Sequence, residues 1–190
     1  MTLGQRLKTF FDAIIELDLQ IWENFSTLGQ VIHYPKDSIL KQPNSTEKKF
    51  SLLLEGSGGI LIWSENNYIC TDLSFENDLI MDYLSFTFQK PTISEVRLFE
   101  DSVIFSIPHE LFQKTMQPDA YGNQVALKAL EGAYDEKLQQ QIDLLSKTAK
   151  QRYLELSAKK PAIHKVPLKY LASYLGITPQ SLSRIRNEKI

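Results

Sequence analysis

Between positions 31 and 108, apolar and polar residues alternate in short runs, which turn residues such as Asp37, Pro43 and Asn66 separate. Alternation with a period of two is typical of strands that bury one face. Short strands that recur about every ten residues favour an antiparallel sandwich or barrel. The pattern predicts strands at residues 31–34, 38–41, 50–55, 59–64, 68–71, 93–99 and 102–108.

The turns between these strands offer little catalytic chemistry. Residues 65–67 (ENN) predict a tight hairpin, because Asn tolerates a positive φ. Residues 56–59 (GSGG) lack the following helix and the Lys-Ser/Thr pair of a phosphate loop, so a flexible hairpin is expected there. Four carboxylates fall in or beside turns and are expected on the solvated surface: Asp78, Asp82, Glu100 and Asp101. We predict no catalytic residue and no metal site.

Apolar residues at helical spacing flank the strands. They predict one or two helices over residues 5–15 and 17–28, a short helix over 109–116, a break at Pro118, and a long helix from 121 to about 146. At 1.5 Å per residue the long helix spans roughly 39 Å, more than one small β domain needs. Its apolar stripe suits either an intramolecular core or a homodimer interface, and we favour the dimer. The stripe consists of Leu127, Leu130, Tyr134, Leu138, Ile142 and Leu145.

The last residues predict two short helices around a tight turn. After a helix over 148–159 and an extended link over 162–166, Pro167 can open the first of them and Gly176 can end it. Thr178 is the N-cap candidate of the second, with Pro179 behind it. Leu168, Leu171, Ala172, Leu175, Ile177, Leu182 and Ile185 take the inner positions. This is the pattern of a DNA-binding helix-turn-helix.

The charge distribution supports a polyanionic partner at this end. Residues 1–146 contain 11 lysines and arginines against 21 acidic residues, a net charge of −10, whereas residues 147–190 contain 10 against 2, a net charge of +8. A basic block that coincides with a helix-turn-helix indicates nucleic acid, and the acidic remainder is not expected to touch it. No apolar run is long enough for a membrane span and no signal peptide is recognisable, so a cytoplasmic location is expected.

Residues 151–190 (QRYLELSAKKPAIHKVPLKYLASYLGITPQSLSRIRNEKI) resemble the ends of Crp–Fnr family transcription regulators, especially of a branch common in Bacteroidetes. The resemblance is looser over residues 1–150. It implies an α+β chain with a cyclic-nucleotide-binding-like jelly roll (residues 1–117), a dimerisation helix (118–146) and a helix-turn-helix of the winged-helix type with a minimal wing (147–190). It also implies a homodimer on a palindromic double-stranded operator, with RNA polymerase as a further partner.

The resemblance places base contacts on the second helix of the motif. Pro179 cannot donate a hydrogen bond, so Gln180 and Arg184 are the expected base-reading residues, and an Arg paired with guanine is the commonest such contact. The full set of predicted DNA-binding residues is Thr178, Gln180, Ser181, Ser183, Arg184, Asn187 and Lys169.

The roll departs from the family's ligand-binding pattern. Met81 stands where a Gly would let the ligand approach the backbone, and Pro91 stands where an Arg would meet the cyclic phosphate. We therefore expect no cyclic-nucleotide binding, and the candidate effector pocket consists of Met81, Asp82, Lys90 and Thr92. Cys70 is the single cysteine and excludes a self-contained iron–sulfur site, and the scattered His33, His109 and His164 argue against haem. No cofactor is predicted. A roll that senses an unidentified small molecule, with DNA contact secondary, is the alternative function, and an enzyme is the third hypothesis.

Overall fold

The computed structural model describes residues 1–12, 14–115 and 120–188. The chain is of the mixed α and β kind, and all of its strand pairs are antiparallel. No helix in the described part of the chain has the length and apolar content needed to cross a membrane.

Two N-terminal helices cover one face of the strand region. Helix α1 (Leu3–Phe11) starts at a capping box in which Thr2 and Gln5 bond each other's backbone, and α2 (Leu19–Ser26) packs against it. The Phe11 and Trp22 rings stack with centroids 4.3 Å apart. Both rings are almost fully buried, so these helices belong to the core.

Seven strands form two sheets that we call the β roll (30–108). The three-stranded sheet has the order β1-β7-β3, and the four-stranded sheet has the order β2-β6-β4-β5. The strands are β1 (Gln30–Tyr34), β2 (Ile39–Lys41), β3 (Lys49–Glu55), β4 (Ser57–Ser64), β5 (Asn67–Phe75), β6 (Ser94–Leu98) and β7 (Ser102–Pro108), with helix α3 (Tyr83–Phe88) between β5 and β6. All seven predicted strands are present, and β5 is longer than predicted.

Two turn predictions have different outcomes. The hairpin between β4 and β5 is confirmed: Ser64 pairs with Asn67, and both Glu65 and Asn66 have positive φ. The flexible hairpin at residues 56–59 is wrong, because Ser57 already begins β4 and only Gly56 (φ +110°) turns. A Cβ on Gly59 would lie 2.6 Å from the carbonyl oxygen of Asp72, so this glycine permits close strand approach.

The helices after the roll follow the predicted order. They are α4 (His109–Thr115), α5 (Ala120–Ser146), α6 (Ala149–Lys159), a 3-10 helix (Pro161–Lys165), α7 (Leu168–Tyr174) and α8 (Pro179–Asn187). The extended link predicted at 162–166 is wrong, because Pro161 begins the 3-10 helix and Ile163 N–H bonds the Lys160 carbonyl. The predicted helix end at Met116, the break at Pro118 and the boundary between residues 117 and 118 lie outside the described residues.

Candidate functional site

The turn between α7 and α8 is built by local backbone chemistry. Gly176 takes the left-handed conformation (φ +67°) that ends α7, and Ile177 N–H bonds the Ala172 carbonyl across it. Thr178 then caps α8, because its Oγ1 accepts the Ser181 N–H at 3.2 Å, and Pro179 occupies the first helical position. The turn therefore holds the two helices at a defined angle.

The inner face of α7 and α8 is apolar and the outer face of α8 is polar. Leu171, Ala172 and Leu182 are inaccessible to solvent, and Leu175 and Ile185 are also buried. The side chains predicted to contact DNA lie on the other face of α8: Thr178, Gln180, Arg184 and Asn187 are exposed, and Ser181 and Ser183 are half-buried. The structure thus brings together on α8 all the candidates except Lys169.

Lys169 lies on α7 and is oriented toward aromatic rings. Its ammonium is 4.5 Å from the Tyr170 ring centroid and 5.9 Å from that of Tyr68 on the β roll. Both distances allow a cation–π interaction. Lys169 is exposed on α7, apart from the other candidates on α8.

The basic block of residues 147–190 divides into structural and free cations. Arg152 is structural, because its guanidinium donates to the carbonyls of Lys147 and Leu175. Arg186 lies with Cζ 5.8 Å from the Tyr153 ring centroid. Lys150 pairs with Glu188 at 2.9 Å, and this hydrogen bond lowers the pKa of the Glu188 carboxyl. Arg184 is exposed on the outer face of α8, and no carboxylate of the described residues forms a salt bridge with its guanidinium.

Helix α5 carries an apolar stripe that the rest of the described chain leaves uncovered. The exposed fractions of its six stripe residues range from 41% at Leu138 to 82% at Leu145. Lys137, which flanks the stripe one residue before Leu138, ties α5 to the roll through Asp72 at 2.9 Å and the Thr71 carbonyl at 3.2 Å. The stripe is therefore not part of this chain's own core. Its residues are Leu127, Leu130, Tyr134, Leu138, Ile142 and Leu145.

The candidate effector residues do not line one open pocket. Asp82 is buried, caps α3 through the Ser85 N–H at 3.1 Å, and accepts a hydrogen bond from Thr92. Met81 is buried in the hydrophobic core, whereas Lys90 is exposed. The expectation that Asp82 is solvated is wrong, because α3 and the start of β6 enclose its carboxylate.

Two charged residues that the sequence analysis did not single out complete this cluster. The Lys41 ammonium, whose side chain is 1% exposed, lies 3.2 Å from Asp82 Oδ2 and donates to Thr92 Oγ1 at 3.0 Å and the Ser94 carbonyl at 2.8 Å. Glu47 accepts the Lys49 N–H at 3.1 Å, and its burial raises the pKa of its carboxyl. Nothing in the spacing of Lys41 or Glu47 marks them as partners of Asp82. We call Lys41, Glu47, Asp82 and Thr92 the buried ion cluster.

The space between the two sheets is filled by aliphatic side chains. Leu53, Ile80, Val96, Leu98 and Ile104 pack together with exposures of at most 1%. Aromatic rings fill the opposite face of the three-stranded sheet, where Phe50 stacks on Phe112 at 4.7 Å. Two open clefts of about 190 and 200 Å³ lie elsewhere, one beside Leu111 and one beside Lys160.

The sequence matches no protein-family model and no curated protein. Solved structures resemble the fold over most of the chain. FixK2 from Bradyrhizobium japonicum superposes with a TM-score of 0.71 at 14% identity, covering 84% of this chain and 83% of that one. The c-di-GMP responsive global regulator CLP from Xanthomonas campestris gives 0.67 at 16% identity, covering 88% and 89%. A CooA mutant from Carboxydothermus hydrogenoformans gives 0.64 at 18% identity, covering 87% and 78%.

The chain has the fold of these three proteins. The likeness covers 84% or more of this chain and 78% or more of each of these three proteins.

Proposed function

We propose that this chain is a bacterial transcription regulator of the Crp–Fnr family, and that it binds a palindromic operator as a homodimer. The observation that carries the proposal is the outer face of α8. That helix is capped by Thr178, held from behind by buried Leu182 and Ile185, and presents Gln180 and Arg184 to solvent. A helix supported in this way can enter the major groove with its N-terminal residues against base edges.

The uncovered stripe of α5 supports the homodimer. Six large apolar side chains at intervals of three and four match the spacing by which two helices pack, and a second copy of the same helix is complementary to it. A two-fold dimer would also carry two copies of α8, which half-sites about 34–36 Å apart require.

The buried ion cluster supports a roll that does not bind a cyclic nucleotide. Asp82 already supplies an anion to Lys41 and Thr92, the groups that a ligand phosphate would need. The interior of the roll is occupied by residues such as Ile80 and Leu53. Adding cyclic AMP or cyclic GMP should therefore leave the unfolding temperature unchanged, whereas a ligand at 100 times its Kd would add about 2.7 kcal/mol of stability.

Base recognition is tested by selecting an operator from random duplexes with the purified protein and measuring its affinity by fluorescence anisotropy. Arg184→Ala should weaken binding by about 1–3 kcal/mol and relax the preference at one base pair, as expected for a lost bidentate contact to guanine. Arg184→Lys keeps the charge but not the fork, so it should bind random DNA normally and still lose the sequence preference. Lys114→Ala, an exposed substitution on α4, is the control. A wild-type protein that shows no preference for any duplex contradicts the proposal.

Dimerisation is tested by sedimentation of Leu138→Glu, which places a carboxylate in the apolar stripe. We expect a monomer that binds one half-site weakly. Gln139→Glu adds the same group at the next exposed position, off the stripe, and should remain a dimer. A wild-type monomer, or a Leu138→Glu dimer, contradicts the proposed interface.

A further inference from the structure

An open cleft of about 190 Å³ lies where strands β1, β3 and β7 meet helix α4. Its lining combines apolar side chains with a few polar ones, as small-molecule sites do. The apolar part is formed by Leu28, Ile32, Pro108 and Leu111. None of the lining residues belongs to the buried ion cluster or to the aliphatic side chains between the sheets. We call this separate feature of the roll the lateral cleft.

Lys49 gives the lateral cleft a positive charge that the described part of the chain does not neutralise. It is the only charged residue of the described lining, and no carboxylate of the described residues forms a salt bridge with its ammonium. The cleft beside Lys160 differs, because Lys160 already pairs with Asp78 at 2.8 Å and Glu76 adds a carboxylate to that lining. The lateral cleft is therefore the one that favours an anion.

A buried pair of serine hydroxyls has a proton to spare beside Lys49. Ser51 and Ser106 face each other across β3 and β7 with their Oγ atoms 3.0 Å apart, and they are 5% and 6% exposed. The two hydroxyls carry two protons, and their mutual hydrogen bond uses one of them. Within the described residues neither hydroxyl donates to another acceptor. Because Ser106 lines the cleft, it can accept from Ser51 and donate its own proton to a bound anion.

The volume of the lateral cleft limits the size of its ligand. Sites for drug-sized ligands measure roughly 300–1,000 Å³, and this cleft is smaller. An apolar cavity of about 150 Å³ nevertheless accommodates a benzene ring, so a body of that size fits. The donors at the polar part are the Lys49 ammonium, the Ser106 hydroxyl and the Gln30 amide, a set that suits a carboxylate.

We propose that the lateral cleft binds a small monocarboxylate whose apolar body is about the size of a benzene ring. The carboxylate pairs with Lys49 and accepts the spare Ser106 proton, while the body lies against Ile32 and Leu111. Leu111 belongs to α4, so the ligand contacts this helix and the three-stranded sheet together. The filled space between the sheets does not prevent this binding, and the inference does not depend on DNA binding.

The test is isothermal titration of the full chain with sodium benzoate. We expect benzoate to bind with a Kd of about 1 mM, a modest affinity that suits a ligand of so few atoms. Benzyl alcohol keeps the ring without the charge, and acetate keeps the carboxylate without the ring. Each should bind at least about tenfold more weakly than benzoate, because each loses one of the two kinds of contact.

Variants of the lining test the residues that we assign. Lys49→Met changes an exposed side chain and should weaken benzoate binding about tenfold through loss of the charged hydrogen bond. Lys48→Met removes the neighbouring exposed lysine, which is not part of the lining, and should bind benzoate normally. Leu111→Trp fills the apolar part and should abolish binding, and the 39% exposure of Leu111 leaves room for the larger ring. A cooperative thermal transition confirms that each variant is folded.

Four outcomes would overturn the inference. The first is a wild-type protein that does not bind benzoate. The second is equal affinity for benzoate in the wild-type protein and Lys49→Met, and the third is equal loss in Lys49→Met and Lys48→Met, because a general effect of charge would then explain the binding. The fourth is equal affinity for benzoate and either benzyl alcohol or acetate. None of these measurements contains DNA, so each of these outcomes leaves the proposed regulator intact.

Discussion

Replacing Lys41 by Met tests the buried ion cluster. The substitution keeps a side chain of similar length but removes the ammonium that lies 3.2 Å from Asp82 Oδ2. Asp82 would keep its hydrogen bonds from the Ser85 N–H and Thr92, yet its charge would have no cation beside it. Its neighbour Glu47 is also an acid, so the uncompensated charge would be harder to tolerate.

The expected loss follows from the geometry. Two unit charges 3.2 Å apart attract by about 5 kcal/mol at an effective dielectric constant of 20. In the intact pair, the cost of desolvating both ions offsets much of this attraction. When one partner is removed, the other ion remains buried and its desolvation cost is no longer compensated. Single removal from a buried pair therefore costs about 3–5 kcal/mol. The double variant Lys41→Met/Asp82→Asn removes both charges. Its loss of unfolding free energy should therefore be smaller than the sum of the two single losses by up to about 3 kcal/mol.

The assay is urea unfolding followed by tryptophan fluorescence, because Trp22 is 1% exposed in the core. Lys137→Met is the matched control: the same replacement breaks a pair with Asp72 whose side chains are 50% and 37% exposed, and should cost at most about 1 kcal/mol. Equal losses for Lys41→Met and Lys137→Met, or strictly additive losses in the cycle, would refute the reasoning. The roll would then lack the buried ion pair that we place where a ligand phosphate would bind.

Three further predictions concern single sites. Thr178→Ala should lower the free energy of unfolding by about 1 kcal/mol, because α8 loses its N-cap hydrogen bond, whereas Thr178→Ser should not. Urea unfolding of the two purified variants measures the difference. Gly176→Ala should cost more than about 1 kcal/mol, because φ is +67°, and Gly176→Asn should cost less, also by urea unfolding. Burial raises the pKa of the Glu47 carboxyl in the folded protein above its ordinary value of 4.5. The proton bound to Glu47 therefore stabilises the folded state, and this stabilisation is fully present below pH 4.5. That stability declines as pH rises through the raised folded pKa, so a pH series of unfolding should show a decline that Glu47→Gln lacks.

The candidate DNA surface was predictable because its determinants are local. Gly176, Thr178 and Pro179 act on the backbone within one turn, and the apolar spacing on α7 and α8 decides which face is buried. The same reasoning predicted the seven strands and the α5 stripe. It failed at residues 56–59, where the glycines led to the prediction of a flexible hairpin. In the structure, close approach of the neighbouring strands requires a glycine there.

Contacts between distant parts of the chain could not be predicted in this way. Asp82 follows a turn and reads as a solvated acid, and only the packing of β2 and β6 against α3 brings Lys41 and Thr92 to it. Lys169 reads as a DNA-facing cation, but its surroundings depend on where β5 places Tyr68.

The amino-acid sequence by itself thus determined the elements, the capped helix with Gln180 and Arg184 on its outer face, and the separation of charge between the two ends of the chain. Only the tertiary structure decided that the buried carboxylate of Asp82 pairs with Lys41 inside the roll, and that α7 packs against the edge strand β5. The physical reason is range: caps, turns and apolar periodicity act within a few residues, whereas the Cys70–Ser173 hydrogen bond joins positions 103 residues apart. Such contacts form only when the sheets and helices have packed.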